Sequence, residues 1–119
     1  MTLLVNTFIR TSAGDMDIVE PDSHADELAG FESYRHTLYG SRAALALGFQ
    51  LLPKLKTEDI YAEGVDLERL QTETELALAN IELFEDESGG SAETLRFRFE
   101  NILKAVRQAR RIGGGVVLW

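Results

Sequence analysis

The chain has 119 residues, 45% of them apolar and 27% charged, with no cysteine and a formal charge of −8. That length suits one domain around one core, and the composition is that of a folded chain rather than a disordered one. The missing cysteines exclude disulfides, thiolate zinc sites and cysteine nucleophiles together. The acidic balance argues against nucleic acid, which asks for a dominant basic field, and against anionic lipid.

The charge is unevenly placed. Residues 15–32 carry only acids, and 58–87 carry eleven acids against the single base Arg69. After Glu87, six bases face two acids, so the last segment is +4 and the remainder −12. Internal complementarity is the simplest use of that basic segment, ahead of an anion-binding face.

Residues 1–21 read as a β-hairpin. Short alternating apolar runs flank the turn signal Ser12-Ala13-Gly14-Asp15, and Pro21 ends the second run. Broken by Asn6, Thr7 and Arg10, the first run is too short for a signal peptide or a membrane span, which makes the cytoplasm the default compartment.

A first helix is predicted over 23–52, with Ser23 as its N-cap and Pro53 as its stop. Leu28, Phe31, Leu38, Leu45, Phe49 and Leu52 form its apolar stripe, with Arg35 and Arg42 inside it. A guanidinium cannot shed its proton, so both arginines are expected to meet carboxylates, with Glu73 the leading partner in a buried ion-pair network. The alternative is a break at Gly40, with Ser41 recapping a second, shorter helix.

A second helix is predicted over 66–85. Leu67, Leu70, Thr74, Ala77, Leu78 and Ile81 make one apolar stripe, while Leu76 and Leu83 lie nearly opposite, so this helix should sit between two partners, one of which could be a second copy of the chain. Glu68, Glu75 and Glu82 recur at sevenfold spacing on a third side.

A third helix is predicted over 91–112, capped by Ser91 and buried through Leu95, Phe99, Ile102, Leu103, Val106 and Ala109. Phe97 leaves that face, and the alternation of 95–99 also allows a strand there. Gly113, Gly114 and Gly115 then release a short strand at 116–119, which could pair with the hairpin. The expected architecture is therefore mainly α: three long helices, the second central, with a small antiparallel β element from the N-terminal hairpin and the C-terminal tail.

No catalytic set emerges, and no cofactor or metal is expected. The primary functional expectation is a non-enzymatic protein-binding module of the immunity or inhibitor type. In it Glu68, Glu75, Glu82, Glu85, Asp86 and Glu87 would cover a basic surface on another protein. The stretch His36-Thr37-Leu38-Tyr39-Gly40-Ser41, followed by Ala43, Ala44 and Gly48, resembles the core of histidine phosphotransfer domains. That resemblance implies His36 as a phosphoacceptor on a long helix and Gly40 as the small residue that keeps it accessible, although Tyr39 stands where the family has lysine. A third expectation is a structural subunit that self-assembles, as a homodimer, through the spare apolar side of the second helix.

Overall fold

The computed structural model describes residues 2–119, so Met1 of the expected hairpin segment lies outside it. Among these residues, five antiparallel strands form one sheet: β1 (Thr2–Arg10), β2 (Met16–Val19), β3 (Leu28–Phe31), β4 (Ile60–Ala62) and β5 (Gly115–Leu118). β1 is central. β5 runs along one side of it and carries β4 on its far edge, while β2 and β3 take successive stretches of the other side.

The described residues also hold four α-helical segments: α1 (Arg42–Ala46), α2 (Val65–Ala79), α3 (Glu85–Ser88) and α4 (Ala92–Ile112). Single tight turns join them at His24–Glu27, Leu52–Lys56 and Ile81–Phe84, and a wider π-type turn spans Arg35–Tyr39. This corrects the mainly α reading. Only α2 and α4 are long, and the β element is a five-stranded sheet rather than a hairpin with a tail.

Side-chain alternation places Leu3, Val5 and Thr7 of β1, Val116 and Leu118 of β5, and Ile60 and Ala62 of β4 on one face of the sheet, all buried. α4 lies over that face, and the Thr7 hydroxyl donates to the Ala105 carbonyl at 3.1 Å. Leu95, Phe99, Ile102, Val106 and Ala109 of α4 are almost completely buried, and α2 packs alongside. Helix continues unbroken through 94–100, with Phe97 outside the buried stripe and 39% exposed. Gly113 ends α4 at φ +71°, and the next glycine lies so close to the Phe8 carbonyl that a Cβ would sit 2.1 Å from it. These glycines therefore serve a tight helix-to-strand crossing.

The expected helix over 23–52 is absent for identifiable reasons. Ser23 does cap, accepting from the Ala25 amide, but only a single turn follows before 28–31 pairs with the first residues of β1. Gly30 in that strand has φ +118°, and a Cβ there would meet the Tyr34 ring at 2.2 Å. Ser41, in extended backbone, accepts from the Ala44 amide and starts α1 afresh, and Gly48 at φ +82° follows its end. The stripe is thus split among a strand, a wide turn, a five-residue helix and a tight turn. Phe31 and Leu45, expected inside, are 56% and 55% exposed.

None of the helices among the described residues is long and apolar enough to cross a membrane.

Candidate partner-binding face

α2 has two unlike sides. Leu67, Leu70, Glu73, Thr74 and Ala77 point into the molecule. Val65, Glu68, Thr72, Glu75, Leu76 and Ala79 point out, as the helical period requires once the first set is buried. Val65 is 73% and Leu76 40% exposed. Just beyond the helix Leu83 is 59% exposed, and the turn carrying it packs on α1, where Leu45 also faces out.

Val65 and Leu76 line a groove of about 350 Å³ together with Leu47, Phe49, Glu68 and Thr72. Arg69 at its rim donates to the Gln50 side-chain oxygen at 2.8 Å. Among the six expected partner-binding acids, Glu68, Glu75, Glu82, Asp86 and Glu87 are exposed and Glu85 is half-buried. Two of the six, Glu85 and Glu87, also serve the fold. Glu85 accepts from the Ala92 amide at 2.9 Å, capping α4 together with Ser91, and Glu87 accepts from the Arg42 amide at 3.0 Å, at the start of α1.

The expected network of Arg35, Arg42 and Glu73 does not form. Glu73 is 5% exposed, and its carboxylate accepts from the backbone amides of Gln50, Leu51 and Leu52 at 2.7–3.2 Å. It thereby caps the turn Leu52–Lys56, whose first N–H groups have no partner within the turn. Arg35 is held instead by Glu32 and by Asp59 at 2.7 Å, and it donates to the carbonyls of Leu55 and Glu58. Burial by itself lowers the pKa of its guanidinium, but the hydrogen bonds to Asp59 and Glu32 outweigh that and the net shift is upward. Arg42 lies at the surface, in none of the salt bridges among the described residues, because helix restarts at Ser41.

His36 is exposed on the wide turn Arg35–Tyr39, and Tyr39 beside it is fully buried, donating from its hydroxyl to the Ala29 carbonyl. The long helix that a phosphotransfer resemblance implies around His36 is not present. Leu45 and Val65 were missed as surface groups. The available signal was Ser41 and Gly48 bracketing a helix too short to bury one continuous stripe. Comparison of the chain with known protein families, with curated proteins and with solved structures finds no match.

Proposed function

We propose that this chain is a non-enzymatic protein-binding module of the inhibitor or immunity type, and that its α2 face receives a basic, partly apolar surface on another protein. The observation that carries this reading is the band Leu45, Val65, Leu76 and Leu83, large aliphatic side chains that are 40–73% exposed beside Glu68, Glu75 and Glu82. Scattered surface apolar groups need no explanation, but two of these, Val65 and Leu76, line one groove, a usual mark of an interaction site. Carboxylates at the rim would draw a basic partner in quickly, and the aliphatic floor would retain it.

A photo-crosslinking side chain placed at Leu76, with another at Glu100 on α4 as control, tests the reading in cells. The expected result is one basic protein captured from position 76 and not from position 100. Capture should fall with added salt and should be lost in the triple variant Glu68→Lys, Glu75→Lys, Glu82→Lys. Capture that survives the triple reversal, or capture of a second copy of this chain in its place, overturns the proposal.

A further inference from the structure

Far from the acidic face in character is a cavity of about 270 Å³ between the sheet and α4. Its origin is a gap in the strand order. β2 pairs with β1 as far as Thr7↔Val19, and β3 resumes the pairing at Leu4↔Leu28. Between them 20–27 swings outward, so Val5 and Asn6 have no strand beside them on that edge. The loop and α4 wall the opening.

Its floor is fixed in place. Asn6 is 4% exposed, donates to the Glu27 carboxylate at 2.8 Å and accepts from the Trp119 indole N–H at 2.9 Å. Thr7 is tied to α4 through Ala105. At the rim, Lys104 bridges to Asp26 at 3.0 Å and fastens loop to helix.

Two cations of the lining remain uncommitted. Arg107 and Arg111 stand one helical turn apart, are exposed, and take part in none of the salt bridges among the described residues. The neighbouring Arg110, by contrast, donates to the Gln71 side-chain oxygen at 2.8 Å. Three bases, Lys104, Arg107 and Arg111, face two acids, Asp22 and Asp26, so the lining is net positive on a chain of charge −8.

We propose that this cavity binds a small organic anion carrying a carboxylate or phosphate group. The oxyanion is gripped by Arg107 and Arg111, and the body of the ligand rests on Val5, Val19 and Pro21. Side chains at i and i+4 lie roughly 5–6 Å apart at Cβ, close enough for two guanidinium forks to share one oxyanion. A polyanion is disfavoured by the −12 carried by the rest of the chain, whereas a small ligand responds mainly to charges within a screening length of about 8 Å.

Titration of isotope-labelled protein with succinate, with glycerol 3-phosphate and with glycerol as the neutral control, followed by amide chemical shifts, tests this. The expected result is saturable change at 5–7, 22–26 and 104–111 for at least one anion and none for glycerol. Which anion saturates first distinguishes carboxylate from phosphate. The Arg107→Gln, Arg111→Gln variant should bind at least about tenfold more weakly with its melting temperature unchanged, since both side chains are at the surface. Arg107→Lys, which keeps charge but loses the fork, should fall between. No saturation by either anion at about 10 mM, shifts at Arg96 and Arg98 as large as those at 104–111, or full affinity in the double variant overturns the proposal.

Discussion

The sheet with α4 and the irregular segment 32–59 lie in one molecule but are held by different means. In the first, strand ladders and the α4 helix pair most backbone groups with one another, and stability is spread over many bonds and a large buried apolar surface. In the second, helices are too short to satisfy themselves, so side chains complete the backbone: Glu73 at the amides of 50–52, Glu87 at that of Arg42, Ser41 at that of Ala44, and Arg35 at the carbonyls of Leu55 and Glu58. Where stability is distributed, one deletion is absorbed. Where it is concentrated in a few charged side chains, one deletion strips several backbone groups at once.

The largest expected effect follows directly. Glu73→Ala leaves three buried or half-buried N–H groups unpaired and should cost about 3 kcal/mol, or roughly 10 °C in melting temperature for a chain of this size. The matching deletion in the sheet is Thr7→Val, which removes one hydroxyl bond to Ala105 and should cost about 1 kcal/mol. Denaturant unfolding of both variants measures the contrast, and hydrogen exchange locates it, with amides 50–52 accelerated first in the Glu73 variant. Equal losses would show that the irregular segment is no more dependent on single side chains than the sheet is.

Arg35 gives a smaller version of the same test. Its side chain is 17% exposed, but Glu32 and Asp59 are 42% and 38% exposed, so water screens much of the attraction. Arg35→Met should cost about 1 kcal/mol, mostly by releasing the carbonyls of Leu55 and Glu58. Arg35→Lys should recover little of it, since one ammonium cannot reach two carboxylates and two carbonyls in the geometry of the fork. Full rescue by lysine would mean that charge alone, rather than directed hydrogen bonding, closes this segment.

The same contrast explains what could be read from the residues. α4 is legible because its three-four pattern buries one face against one surface, so a local period carries the whole message. The residues from Leu28 to Leu52 also satisfy a helical period, yet 28–31 is taken by the open edge of β1, a partner more than twenty residues away that no local period can register. Gly30, Ser41 and Gly48 were the local evidence against one long helix, and their meaning emerges only when φ and the nearby Tyr34 ring are known. Glu73 stood out as an acid near an apolar stripe. That its partners are amides rather than arginines depends on where the turn Leu52–Lys56 ends up, which is a tertiary outcome. On the α2 face the sevenfold acids were visible, whereas the exposure of Val65 and Leu45 was not.

pH offers the gentlest probe, and it acts on the sheet side. Asn6 first, then His24, hydrogen-bond the Glu27 carboxylate and hold its pKa below the usual carboxylate range, with burial opposing. The same contact with Glu27 raises the pKa of His24. A lowered acid stabilises the fold above its ordinary pKa of about 4.3 and loses that contribution as pH falls through the depressed value. A raised histidine contributes below about 6.5 and loses it as pH rises through the elevated value. His24 is almost wholly in solvent, so the alkaline loss should be slight and the acid loss the larger of the two. Melting temperatures from about pH 3 to pH 8 should therefore fall less on the acid side in Glu27→Gln than in the unaltered protein. His24→Gln should flatten the shallow alkaline limb and reduce the acid limb less than Glu27→Gln does, because Asn6 still holds the Glu27 carboxylate. If Glu27→Gln retains the full acid-side decline, the link from loop 20–27 through Asn6 to Trp119 is not what acid loosens, and the sheet would then share with segment 32–59 a reliance on carboxylates placed elsewhere.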